Sequence, residues 1–395
     1  MGEPRVLQKV EGTVGGIMIT KIADNIISPL GTTSEENFKA VLAGESMLKK
    51  QEGTFGLPEP FCASLFDRER IVPLLDKEVG VDTDLTFFEK LCVLSAKRAI
   101  KDCNLSPRES NVIFILSTTK GNVDCLEESL SNTKCYLAES ACKIAKYFGN
   151  NNLPLVVSNA CISGVCAQIA AIRELLSGKY RYAVVIGGDI LSKFIVSGFQ
   201  SFKALSPDPC KPYDSNRIGL NLGEAIGTLI LKAATPSNKD DWQYVASSIH
   251  NDANHISGPS RTGEGSFRVL YDILKKINID DIGFVNVHGT STAYNDEMES
   301  IALHRANLDR VPINGLKGYY GHTLGAAGII ETILSMKAIE NGVILPTKGY
   351  NTPGTTYIVN ISNQKRKTQK EAFIKILSGF GGSNAGISYR KGGQI

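Results

Sequence analysis

A chain of 395 residues is too long for one minimal core and long enough for two domains or one large α/β domain. Apolar residues at 42% and charged residues at 21% exclude general disorder. Lys plus Arg number 43 against 40 for Asp plus Glu, and a net charge of only +3 argues against nucleic acid as the main partner.

The first residues, MGEPRV, lack the basic-then-apolar layout of a signal peptide, and Val6 stands where a myristoylation signal needs Ser or Thr. No apolar run reaches bilayer length, so the expectation is a soluble, cytoplasmic protein without membrane insertion. A helix is expected near 86–103, where Phe88, Leu91, Cys92, Ser95 and Ala99 share one face. Short apolar strands follow at 111–116 and 155–157, then an Ala-rich segment ending at Gly178, then a buried strand from Tyr182 to Gly188. The polar stretch 234–241 reads as a join after which a new strand begins. Beyond it come a strand at 284–287, a helix at 296–306, a strand at 311–314, a helix at 324–340 and a last strand at 373–377. Strand, tight small-residue turn and small-residue helix occur in both halves, at 157–171 and 313–330, which suggests a duplication with halves 1–234 and 235–395.

Nine cysteines, none in a CxxC pair, suggest neither a disulfide framework nor a zinc site. All lie at or before Cys210, so chemistry in the second half needs other groups. Cys161, in Val157-Ser-Asn-Ala-Cys-Ile-Ser-Gly-Val165, sits where a buried strand turns sharply into a helix. Such an elbow projects one side chain, and a helix N-terminus favours the thiolate. Cys62, Cys92, Cys103, Cys142 and Cys166 read as packing residues. His288 ends a strand in Val287-His-Gly-Thr-Ser-Thr-Ala-Tyr-Asn-Asp296, where open α/β sheets handle ligands, with Thr290 and Thr292 offering hydroxyls. In Lys317-Gly-Tyr-Tyr-Gly-His-Thr-Leu-Gly-Ala-Ala-Gly328, Lys317 precedes His322, and Glu331 follows along the helix, placed to pair with the lysine and hold the histidine. Gly379-Phe-Gly-Gly-Ser-Asn-Ala385 fails the dinucleotide pattern because Asn384 takes the third glycine's place. Alone it reads as a tight turn, able to offer a backbone N–H and the aromatic Phe380. His250 and His304 read as structural, and His255 as a surface loop residue.

Taken in order, these clusters resemble the elongating β-ketoacyl-[acyl carrier protein] synthases, condensing enzymes of the thiolase-like fold. The matching pieces are NACISG at Cys161, HGTSTxxND from His288, KxxxxGHxxGAAG from Lys317 and GFGGSNA from Gly379. Lys211-Pro-Tyr-Asp214 with Gly223-Glu224, Asp252-Ala-x-His255 and Ile27-Ser-Pro-Leu-Gly31 add to them, and the resemblance spans almost the whole chain. It implies an α/β protein of two pseudo-duplicated halves in a layered αβαβα arrangement. Cys161 then becomes the acyl-accepting nucleophile, with His288 and His322 binding the malonyl thioester carbonyl and driving decarboxylation. Lys317 and Glu331 match the supporting charged pair, and the backbone N–H groups of Cys161 and Phe380 the oxyanion hole. Thr290 and Thr292 match contacts to the pantetheine arm, while Phe380 stands beside the acyl pocket. Ile162 departs from the smaller residues frequent after the nucleophile and is expected to narrow that pocket. The N-terminal run Val14-Gly-Gly-Ile-Met-Ile-Thr20 departs from the usual glycine placement.

The implied partners are an acyl carrier protein and a second copy of the chain, with no metal and no cofactor. Thiolases use a second, late cysteine that this chain lacks; initiating synthases carry Asn where His322 stands; non-catalytic chain-length factors lack the nucleophile. A Cys-His hydrolase would leave Lys317 and one histidine idle. The pathway, fatty-acid synthesis or a specialised polyketide or aryl-polyene-type product, stays open at this level.

Overall fold

The computed structural model describes residues 13–14, 17–81, 83–127, 132–234, 241–255 and 258–392. Val6, the glycines at 15 and 16 and most of the polar join, 235–240, lie outside the described residues. The first half supplies β1 (Ile17–Ile27), α1 (Phe87–Asp102), β2 (Val112–Ser117), α2 (Leu137–Tyr147), β3 (Leu155–Val157), α3 (Ser163–Leu176), β4 (Tyr182–Asp189), α4 (Lys193–Ser201) and β5 (Ala225–Ala234). The second supplies β6 (Trp242–Asn251), α5 (Glu264–Leu274), β7 (Ile282–Asn286), α6 (Ala293–Arg305), β8 (Ile313–Asn314), α7 (Ala327–Glu340), β9 (Ala372–Gly379) and β10 (Ser383–Lys391).

These strands form one ladder in the order β8-β7-β9-β10-β6-β1-β5-β4-β2-β3. Read outward from the middle, each half runs first, fifth, fourth, second, third strand. In each half the second, third and fourth strands are parallel and the fifth antiparallel to both its neighbours. Within the ladder, among the described residues, the halves are joined by two residue pairs, Lys21 with Trp242 and Thr20 with Gln243. Helices α3 and α7 each pack on strands of both halves, so they form a middle layer. Outside lie α1 and α2 on the first half's strands, and α5 on the second's with α6 against it. The architecture is thus the five-layered thiolase-like arrangement, built twice on one topology.

Local chemistry explains the boundaries. A capping box opens α1: Thr86 Oγ1 accepts the Glu89 N–H while the Glu89 carboxylate accepts the Thr86 N–H. The near-continuous apolar run of β4 suits a strand covered on both faces. Helices α3 and α7 are buried almost all round because they are sandwiched. They cross at glycines: a Cβ on Gly164 would sit 2.9 Å from Gly328 Cα, and one on Gly328 2.5 Å from the Val165 nitrogen. Gln168 ties the crossing by donating to the carbonyls of Gly164 and Gly328 at 3.1 and 2.9 Å.

Several expectations change. The strand at 373–377 is not the last: β10 follows it as an antiparallel partner, and Ser383-Asn384-Ala385 belong to that strand. The turn itself is Phe380-Gly381-Gly382, with both glycines at positive φ, +84° and +74°. β3, read as buried, is the outermost strand of its half and only half-buried. Cys142 is exposed and Cys103 half-buried, whereas Cys62 and Cys92 are buried as packing residues. No helix among the described residues is long and apolar enough to cross a membrane.

Candidate active site

The elbow after β3 is held by one side chain. Ser163 Oγ accepts the Asn159 N–H at 2.8 Å and donates to the Ala160 carbonyl at 2.6 Å, while Ala160 takes a φ of +44°, rare outside glycine. Cys161 is thereby projected at the mouth of α3, two residues before its first turn. From the second half, His288 follows the end of β7 and His322 follows a single helical turn, Lys317–Tyr320. The Cys161 sulfur and the two imidazoles bring ligand atoms within 4.8 Å of one another. The histidine rings stand edge-to-face, centroids 5.0 Å apart. The three side chains share one cavity of about 370 Å³, lined also by Phe199, Phe202, Ile218, Leu220, Phe380, Thr290 and Thr292.

The tautomer of His322 is readable. Its Nδ1 accepts the Leu324 N–H at 3.2 Å, which leaves the proton on Nε2, a buried atom with no other partner among the described residues. Burial, then the Lys317 charge, hold the His322 ring well below the ordinary histidine range. The same two causes act on His288, reinforced by His322 and Lys375. Both rings are neutral near pH 7 and can donate N–H bonds. Burial pushes the Cys161 thiol up to about 11, against the Lys317 charge and the Phe380 N–H that bonds the sulfur. The expectation of a thiolate favoured by the helix terminus is therefore corrected: the sulfur is buried deeply enough to keep its proton.

Lys317 does pair with Glu331, at 2.9 Å, but the pair holds the other histidine: Lys317 Nζ donates to the His288 carbonyl at 2.6 Å. The His288 and Gly289 N–H groups are in turn accepted by the two Glu299 oxygens at 2.7 and 2.8 Å. Thr290 and Thr292 hydroxyls lie 2.9 Å apart on the cavity wall. The Phe380 ring packs against Phe202 and Phe199, centroids 5.3 and 5.8 Å away. Ile162 is not brought to the cavity; it is fully buried in the core around α3. His255 is exposed as expected yet lines the cavity, while His250 and His304 pair with Asp272 and Asp309 away from it.

Sequence reasoning passed over three groups. Asp189, at the end of β4, accepts from the N–H groups of Thr119, Lys120 and Gly325 and from the Thr118 hydroxyl, drawing the loop after β2 to the turn before α7. Glu299 orients His288 from α6, and Lys375 in β9 reaches the same segment from the opposite side. Asp189 alone carries a signal in the sequence, a charged residue closing an apolar strand; Glu299 sits in a mixed helix and Lys375 looks like an alternating-strand position. Cys161, His288 and His322 are the one such set among the described residues whose donors lie close enough to share a metal ion.

The family description "Beta-ketoacyl synthase, N-terminal domain" matches residues 80–236, and "Beta-ketoacyl synthase, C-terminal domain" matches residues 243–351. Nodulation protein E of Rhizobium leguminosarum bv. trifolii is 28% identical over 375 residues, 86% of this chain and 93% of its own length. The 3-oxoacyl-[acyl-carrier-protein] synthase 2 of Vibrio cholerae is 26% identical over 406 aligned residues, 93% of this chain and 97% of its own. Among solved structures, the Xenorhabdus doucetiae ketosynthase ApeO in complex with its chain length factor ApeC has a TM-score of 0.82 at 23% identity, covering 94% of this chain and 98% of that one.

Proposed function

The chain belongs to the beta-ketoacyl synthase family of condensing acyltransferases, and from that membership we propose how its residues share the reaction. The observation that carries the reading is the convergence of one sulfur and two neutral imidazoles at one cavity. Cys161 attacks an acyl thioester on a carrier; its proton leaves with the departing carrier thiol, and the acyl group waits on the sulfur. The tetrahedral oxyanion is met by the N–H groups of Cys161 and Phe380. Thr290 and Thr292 hold the pantetheine arm. Malonyl carrier then enters, its C–C bond to the carboxylate breaks, CO₂ departs, and the enolate oxygen takes N–H bonds from His288 and His322. The carbanion forms a new C–C bond to the Cys161 thioester, and the released sulfur regains a proton from solvent. Lys317 and Glu331 act as positioning residues for His288.

In this reading residues 1–234 carry the nucleophile, residues 235–395 carry the imidazoles, and the carrier partner is an acyl carrier protein. Extension by two carbons in cytoplasmic fatty-acid synthesis is the role we assign. Intact-mass measurement after incubation with acyl carrier tests the first step: Cys161→Ala is expected to fold and to show no acyl adduct, and an adduct on that variant overturns the assignment. His288→Ala and His322→Ala are expected to acylate normally and to lose condensation by about 10²–10³, the scale of removing one oxyanion donor. Near-normal condensation by either variant would sink its role. Products from a panel of acyl primers with malonyl carrier separate ordinary chain extension from a specialised polyketide or aryl-polyene-type pathway.

A further inference from the structure

Lys375 lies in the middle of β9, opposite Asn286 of β7 in the parallel ladder, and its side chain is wholly buried. Its Nζ donates to the Val287 carbonyl at 3.0 Å and to the Asn286 carbonyl at 3.5 Å, and it also bonds Glu331 Oε2. Lys317 takes the other oxygen of Glu331 and the His288 carbonyl. Three consecutive carbonyls, 286 to 288, thus point at two ammonium groups that share one carboxylate. A second buried lysine against one buried carboxylate is costly unless a further negative group balances it. Glu299 contributes in part: burial pushes its carboxyl up to about 7, yet it interacts electrostatically with Lys375 while accepting the His288 and Gly289 N–H groups.

We propose that Lys375 is a second positioning residue for the decarboxylation step, fixing the backbone that carries His288 jointly with Lys317. Acyl loading uses the sulfur and the Phe380 N–H, neither of which Lys375 touches. Its removal should therefore separate the two half-reactions. Burial lowers the proton affinity of Lys375 and Glu331 raises it, so the ammonium exists because the carboxylate is there. The proposal rests on the roles assigned above to Cys161 and His288.

The test is Lys375→Met, measured for acyl loading by intact mass and for CO₂ release from malonyl carrier. Loading is expected to stay close to that of the unsubstituted protein, while CO₂ release falls by about tenfold to a hundredfold, the cost of a small misplacement of a reacting group. In Lys375→Ala, whose shortened side chain leaves room for a small cation, added methylammonium is expected to restore part of the CO₂ release. Unchanged CO₂ release, or an equal fall in both half-reactions without rescue, overturns the proposal. Lys375→Gln keeps an N–H donor for the Val287 carbonyl and is read in the same way if the methionine variant does not fold. Failure of both to fold assigns Lys375 to the fold alone and also overturns it. If the unsubstituted protein itself releases no CO₂, the roles of the histidines fall instead.

Discussion

Two uncharged imidazoles beside a protonated thiol define the resting charge state of the site. A histidine whose folded affinity for protons is depressed stays neutral as pH falls past 6.5, the ordinary unfolded value. Decarboxylation is therefore expected to persist below that pH, with its acid limb displaced downward, and a limb centred at or above 6.5 in the rate profile would contradict it. Linkage gives the stability sign: below about 6.5 the unfolded chain binds protons that folded His288 and His322 refuse, so stability drops as pH falls through that value. Denaturant titrations should show this slope, and it should shrink in His288→Ala. The thiol gives the opposite end of the scale. With Cys161 held at about 11, its alkylation by iodoacetamide should keep accelerating above pH 9, and a plateau already reached by pH 8 would refute the burial argument. Cys161 and His288 were legible in the sequence because each follows a strand end, and His322 because it stands in a glycine-rich turn that runs into a small-residue helix. Lys375 was not, because a lysine in Phe-Ile-Lys-Ile-Leu looks like one solvent-facing position of an alternating strand until Glu331 is seen beneath it.

Helices α3 and α7 are the elements on which the site depends most directly, since Cys161 stands just before one and His322 just before the other. Their crossing leaves no room for a Cβ on Gly328, which would meet backbone rather than a yielding side chain. Gly328→Ala is expected to destabilise the protein by about 1–3 kcal/mol, the usual range for overpacking, read as a lower denaturant midpoint with an unchanged slope. A midpoint equal to that of the unsubstituted protein would show that the helices can part freely. Periodicity showed both sandwiched helices and the parallel strands β2, β4, β7 and β9, but not β1 and β5 at the middle of the ladder. The β9–β10 hairpin was only half visible, because the glycine-rich run masks where the turn ends and pairing resumes. The half-buried edge strand β3 was misread as interior, since its three apolar residues say nothing of which neighbour is missing.

At the scale of the molecule, the duplicated topology was suspected from two strand–turn–helix runs, and the ladder repeats it strand for strand. Resemblance to the family carries an expectation of a homodimer, which we retain as a proposal: sedimentation equilibrium should return twice the chain mass, and a monomer would refute it. Each half contributes what the other lacks, sulfur from one and imidazoles from the other, across a backbone contact between two glycines. A chimera joining the first half of this chain to the second half of a distant relative would inherit every reacting group and still stay silent unless that crossing closed to the same depth. Exchange of parts among such proteins is thus limited less by the chemistry each fragment brings than by the fit of the surfaces where the fragments meet.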